Sequence, residues 1–526
     1  MRVTRRWRLW GVVSIVGLIS AACNFSRPEM IVITVTFDPN NMPIPTATSN
    51  NGAVAQTDSS ILSVDQIVPT PDPTRPLQSA VIDQYIVQPG DTLTGISARF
   101  GVQLETLLVV NDIANADILQ VGQVLQLPAP PTERGSDFKI IPDSRLVRAP
   151  GSGAFDIAGF IESQPGYING MVEVVDEHIM TAAQIIERIS LDYSVDARLL
   201  LALLEFKAGW LSNPQPDETL RAYPMGAPAN AAGVDRLGLY RQLAWAADQL
   251  NLGYYGWKLR GLTIIEFDDG VRLLYSPNIN AGTVGVQYFL SRNSSYLTWN
   301  EQIAPNGFYS VYARYFGDPF VNAIEPIIPP GLTQPNLLFP FSQGETWFFT
   351  GGPHGGYGTG SAWASIDFAP PDERPQGSSP CYISDYFATA AAPGLVVRSE
   401  SGFVVLDLDM DGDESTGWTL VYLHLAERDR VLAGTMVDVG DRLGRPSCEG
   451  GFSNGTHMHF GRRYNGEWIP VTCDVCAPGY ERPPFVIDGW TVIGLPGQEY
   501  QGYLVRGDER RIAEQGRLIT ENRVSW

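Results

Sequence analysis

"GLVVRSESGFVVLDLDMDGDESTGWTLVYLHLA", Gly394 to Ala426, sets short apolar runs between clusters of glycine, serine and aspartate. The runs are strand length and rich in β-branched and aromatic residues, and the small polar residues between them are turn formers. The stretch therefore reads as antiparallel hairpins. The same texture continues from about Leu337 to Asp488, so this part of the chain is expected to be mainly antiparallel β. The last run of the quoted stretch ends in His424, and three more histidines lie around it.

The chain has only five histidines in 526 residues. His354 lies in "TGGPHGGYGTGSAWASIDFA", Thr350 to Ala369; His457 and His459 lie in "GTHMHFG", Gly455 to Gly461. Two residues apart on a strand, His457 and His459 project from one face and can address one site. Asp367 sits inside the apolar run "SIDFA", where a carboxylate is costly to bury without a partner. Two imidazoles and a carboxylate form a common catalytic zinc shell that leaves a position for water. The fifth histidine, His178, stands apart and reads as a surface or capping residue.

The three motifs, "GGPHGGYGTGSAWASIDFA", "VYLHL" and "GTHMHFG", resemble those of the lysostaphin-like zinc endopeptidases, which cut peptide cross-links of peptidoglycan. The long gap from His354 to Asp367 is similar to the staphylolysin branch. The resemblance implies that His354, Asp367 and His459 hold Zn2+. It implies that His424 and His457 flank the metal-bound water and the developing oxyanion, without saying which accepts the proton. An endopeptidase domain is expected over 335–490. A C-terminal extension is assigned to 491–526, and after Pro483 the hydrophobic alternation of "FVIDGWTVIGLPGQEYQGYLVRG", Phe485 to Gly507, suggests a strand or two packed on the peptidase core.

"DLDMDGDES", Asp407 to Ser415, resembles the start of a calcium loop, but Trp418 stands where an EF-hand carries its closing glutamate. It reads as a solvated acidic hairpin tip, with an incidental calcium site as the other reading.

Working towards the N-terminus, residues 150–328 turn helical. "MTAAQIIERISLDYSVDARLLLALLEFKAGWL" places apolar residues three and four apart through Ile185, Ile186, Ile189, Leu199, Leu203 and Leu204. "VDARLLLALLEFKAGW" and "SPNINAGTVGVQYFLSR" resemble segments of the lysozyme fold of lytic transglycosylases, but Lys207 and Ala208 replace the family's glutamate and serine. A lysine there cannot act as a carboxylic acid, so a degenerate glycan-holding or spacer domain is implied. "YIVQPGDTLTGISARFGVQLETLLVVNDIANADILQVGQVLQLP", Tyr85 to Pro128, reads β-α-α-β and resembles a LysM domain, expected over 83–130, which implies binding to N-acetylglucosamine glycan.

Residues 24–82 are polar and proline-rich, the composition of a disordered tether. Residues 1–23, "MRVTRRWRLWGVVSIVGLISAAC", carry an arginine-bearing start and a short apolar run, as in an export signal. "ISAAC" resembles a lipoprotein lipobox, with Ser20 where such boxes carry leucine, and implies lipidation of Cys23. An uncleaved membrane anchor is the other reading. The remaining cysteines, Cys381, Cys448, Cys473 and Cys476, lie in the last third of the chain. In an exported protein they are expected as two disulfides, Cys473–Cys476 and Cys381–Cys448 being favoured by spacing, with a structural zinc site as the alternative.

A net charge of −21 argues against a nucleic-acid partner, which needs clustered Lys and Arg. The expected molecule is multidomain: a small βααβ LysM domain, a mainly α lysozyme-like domain and a mainly antiparallel β metallopeptidase. It is exported, either membrane-anchored through a lipid and facing the cell wall or secreted. Peptidoglycan is its partner through both peptide cross-bridge and glycan. The competing expectation is a non-catalytic scaffold that binds peptidoglycan and regulates other hydrolases.

Overall fold

In the computed structural model the described residues run from 84 to 526, apart from 89–90, 101, 103, 116–118, 128–130, 132, 230–232, 234, 474–475, 477–479, 481 and 518–519. The expected signal, Cys23 and the tether lie outside them. No helix among the described residues is long and apolar enough to cross a membrane.

The LysM segment pairs the strands Gln84–Ile86 and Val124–Gln126 antiparallel, around the helices Leu93–Phe100 and Leu104–Val110. Its core is its own: Val87, Leu93, Ile96, Val102, Leu107, Leu125 and Leu127. Asn111 ties the second helix to the closing strand, its side chain donating to Leu107 O and Gln126 O and accepting from Gln126 N.

Local signals explain the helical region well. A capping box, Thr181 with Gln184, starts the Ala182–Tyr193 helix; Ser194 ends it with a left-handed φ of 53°. Asp196 caps the next helix, Ala197–Ala208, and Gly209 closes it in the left-handed region. The apolar faces Ile185, Ile186, Ile189, Leu199, Leu203 and Leu204 are all buried, as their spacing requires. Glu205 is fully engaged in local structure. It accepts from Leu211 N at 2.8 Å, Ser212 N at 3.2 Å, Ser212 Oγ at 2.6 Å and Tyr315 OH at 3.1 Å. The longest helix, Leu239–Leu259, lies across the region and packs against Ala281–Ser291.

Beyond it stands a nine-stranded, wholly antiparallel sheet. The strand order is Met436–Val437, Gly394–Glu400, Phe403–Asp407, Trp418–Leu423, Met458–Tyr464, Trp363–Ala369, Thr346–Gly355 and Arg523–Ser525, with Glu467–Trp468 pairing beside Met458–Tyr464. Alternation sends Val404, Leu406, Leu420, Tyr422, Met458 and Phe460 to one face, where they pack with Phe341, Trp347 and Phe349. The other face carries Phe403, Val405, Val421 and Leu423, and these share a core with the helices. The helical region and the sheet are thus not two cores joined by a linker.

Charges are buried across that junction and paired. Arg398 meets Asp192 at 2.7 Å and Glu414 at 3.0 Å, while Lys258 meets Glu467 at 3.1 Å and Asp143 at 3.3 Å. Removing one partner of such a pair costs about 3–5 kcal/mol, because the other charge is left buried.

Two expectations change here. The acidic turn is not a solvated tip throughout: Asp407, Glu414 and Ser415 are buried, because the turn folds back against the sheet, and only its middle is exposed. The tail holds more than a strand or two. Val486–Ile487, Trp490–Leu495, Gln498–Arg506 and Glu509–Ile512 form a four-stranded sheet, and Arg523–Ser525 completes the edge of the large one. The cysteines pair as Cys381–Cys448 and Cys473–Cys476.

Candidate metal centre and active site

Register alone puts the site on one face. In the ladder His459 lies opposite Asp367 on one side and Leu423 on the other, and Asp367 lies opposite Gly351. Facing residues share a face, so His459 and Asp367 stand on the helix-covered side, away from Met458 and Phe460. His354 comes from the bulged end of Thr346–Gly355, where register shifts turn the strand over the sheet. His424 follows its strand with φ of 67°, a left-handed kink that turns its ring towards its neighbours.

The result is a tight constellation. His354 Nε2 lies 2.9 Å from His459 Nδ1; Asp367 Oδ1 lies 3.2 Å from the first and 3.3 Å from the second. The opposite ring nitrogens are spoken for, His354 Nδ1 by Gly352 O at 2.8 Å and His459 Nε2 by Gly356 O at 2.9 Å. Carbonyls accept, so those nitrogens carry the protons and the inward nitrogens present lone pairs. Asp367 Oδ1 is buried with no hydrogen-bond partner.

Three acceptors facing one another in a buried place repel unless a cation sits among them. Three donors on a tetrahedron with bonds of ~2.0–2.1 Å would stand about 3.3 Å apart, close to the spacings here. The residues therefore fit a small tetrahedral divalent ion with nitrogen and oxygen ligands.

His457 and His424 complete the cluster. His457 Nδ1 donates to Gly455 O at 2.7 Å, and its Nε2 is 3.6 Å from Asp367 Oδ1; His424 Nδ1 donates to Glu449 O at 2.8 Å. Their rings are 4.6 Å apart. Burial, then the neighbouring His457 and His459, push His424 down to about 3, so it stands as neutral imidazole.

All five residues line one groove of about 920 Å³. Its rim includes Tyr357, Tyr382, Arg374 and Phe452, the last 95% exposed. The disulfide Cys381–Cys448 braces two of its loops, next to the Glu449 carbonyl that holds His424. His178 lies elsewhere, exposed on the hairpin strand His178–Thr181.

Sequence reasoning missed two groups at the mouth. Tyr500 stacks on the His354 ring at 4.3 Å, and Glu499 accepts from Gly355 N at 3.3 Å. Both come from the tail, at the start of Gln498–Arg506. A tyrosine and a glutamate in the polar first residues of a strand carry no pattern that would have marked them.

Comparison with known proteins assigns two segments. Residues 85–128 match the LysM domain, and residues 139–328 match the LasA N-terminal domain. Among curated proteins, the chain is 26% identical to Protease LasA of Pseudomonas aeruginosa over 301 residues, 53% of this chain and 65% of LasA. It thus spans about two thirds of that relative. It is 39% identical to the N-acetylmuramoyl-L-alanine amidase XlyA of Bacillus subtilis over 59 residues, 11% of this chain and 20% of the amidase. Among solved structures, the M23 metalloprotease pseudoalterin from the deep sea is 24% identical, with 34% of this chain and 96% of that one covered and a TM-score of 0.27.

Proposed function

We propose that this protein is an exported zinc-dependent endopeptidase that hydrolyses peptide cross-bridges of peptidoglycan. The observation that carries the reading is the convergence of His354, Asp367 and His459 on one point, with His424 and His457 facing the same groove. The similarity to Protease LasA and the LysM match support the substrate class.

His354, Asp367 and His459 would hold zinc. When bound, zinc polarises a carbonyl and acidifies water. The chain's own residues do the rest. Gly352 O and Gly356 O fix the two ligating rings, and the Glu449 and Gly455 carbonyls fix the two free imidazoles with Nε2 towards the groove. With the ring proton on Nδ1, either Nε2 can take the proton from the attacking water, and the imidazolium so formed then donates that hydrogen to the tetrahedral oxyanion. The LysM domain holds glycan and raises the local concentration of cross-bridges. A lipid on Cys23 would keep the chain at the membrane.

The test uses the full chain on purified peptidoglycan, with zinc, after chelation, and as His459→Ala. Expected are new amino termini that vanish in both controls. Sacculi that bind protein but stay intact would sink the reading and favour the scaffold.

A further inference from the structure

The glycines of "HGGYGTGSAW", His354 to Trp363, have a physical cause that lies in another part of the chain. A Cβ on Gly360 would meet Asp248 O at 2.2 Å and Leu252 N at 2.8 Å, both backbone atoms of the Leu239–Leu259 helix. At Gly358, whose φ is 69°, it would meet Asp248 Oδ1 at 2.7 Å and Tyr193 Cε1 at 2.8 Å. On Gly356 it would enter the Trp468 ring at 2.3 Å. The loop is therefore pressed between a helix and an indole, with room for bare backbone only.

The helix also grips the loop. Asp248 Oδ1 accepts from Gly360 N at 2.8 Å, and Oδ2 accepts from Thr359 Oγ1 at 2.8 Å. Arg260, just past the helix, donates to Gly360 O at 3.1 Å and to Ser361 O. The Tyr193 ring packs edge-on against Tyr357 at 4.9 Å and lines the groove itself. Asn251 secures that tyrosine by donating to Tyr193 O at 2.9 Å. Asp248, Asn251, Tyr255 and Lys258 recur at three and four along the helix, so one face is devoted to this junction. Tyr255 OH accepts from Trp468 N at 3.0 Å, and Lys258 pairs with Glu467.

The held loop carries Gly356 O, the acceptor that fixes His459. We propose that Asp248 is a positioning residue of the metal centre, acting from the helical region through the 355–361 loop, with Tyr193 supplying a wall of the substrate groove. The helical region is then more than a spacer. It sets the tautomer and the aim of a ligand it does not touch. Without the two Asp248 bonds the Gly356 carbonyl can swing, and His459 Nδ1 loses its orientation.

The inference rests on reading the trio as a zinc site, and the experiment separates the two. In the full chain, zinc release to a chromogenic chelator is timed for wild type, Asp248→Ala, Asp248→Asn and Thr359→Val. Hydrogen exchange over 355–361 is followed in parallel, with kcat and KM on a cross-bridge peptide. Loss of a partner one bond out from a ligand typically weakens metal binding ~10–100-fold. Asp248→Ala should release zinc about tenfold faster or more, with kcat lowered and KM little changed. Asp248→Asn keeps an acceptor for Gly360 N and should recover most of the loss. Thr359→Val removes one bond without touching the helix, and should fall between wild type and Asp248→Ala even if the latter folds poorly. Faster exchange in the loop with wild-type zinc release in Asp248→Ala and Thr359→Val would make the clamp merely structural and overturn the inference. A wild-type chain that takes up no zinc would overturn the proposed function, and this inference with it.

Discussion

Asp367 shows how much one buried atom can say. Its Oδ1 is enclosed, has no donor, and faces two ring nitrogens whose protons point elsewhere. On the proposed reading His354, Asp367 and His459 would hold zinc and His424 and His457 would move protons, and that division can be measured. His354→Ala, Asp367→Ala and His459→Ala should each lose zinc from the purified protein. His424→Ala and His457→Ala should keep zinc and lose turnover by about 10²–10⁴-fold, the usual worth of a positioned acid or base. Metal content by emission spectroscopy beside kcat decides it, and zinc loss in His424→Ala would contradict the division. That these five residues gather in one groove was legible in the sequence, because histidine is scarce there and a carboxylate inside an apolar run is anomalous. Tyr500, Glu499 and Asp248 were not legible. They are common residue types in ordinary surroundings, and only folding brings them to the centre.

At the scale of elements, the hairpins around Gly394–Ala426 were readable because alternation and turn residues agree over several strands. The acidic turn was misjudged because charge usually means exposure. Asp407 is buried instead, accepting from Gly412 N at 3.0 Å and Asp409 N at 3.2 Å. Burial, then its neighbour Asp409, raises its carboxyl to about 7. The folded protein thus holds a proton there that an unfolded aspartate, with a pKa of ~3.9, gives up. Stability contributed by this group is therefore lost as pH climbs from about 4 to about 7. Asp407→Asn should raise the melting temperature at pH 8 and change it little at pH 4. An equal shift at both pH values would rule out the titration. The run of glycines after His354 is the opposite case: the sequence shows it plainly, but the helix that demands it lies a hundred residues away and cannot be found by local pattern.

Among the described residues the whole molecule has three hydrophobic cores, of which only the LysM core lies within a single expected domain. One belongs to the LysM segment and one to the inner face of the sheet. The third joins the helices to the outer face through Phe403, Val405, Val421, Leu423 and Trp468. Residues 330–526 expressed alone should therefore expose those side chains together with Arg398 and Glu467. They should bind a hydrophobic dye and aggregate, whereas residues 131–526 should melt cooperatively; a monomeric, cooperatively melting 330–526 fragment would refute the shared core. Local periodicity could place helices and strands but not reveal that they share an interior. That sharing also bears on how such chains can be rearranged. A LysM bead with its own interior can be duplicated, swapped or lost by recombination at its borders. Parting the helices from the sheet would instead bare Phe403, Val405, Val421, Leu423 and Trp468, so a chain that kept this sheet without the helices would need another cover for that face.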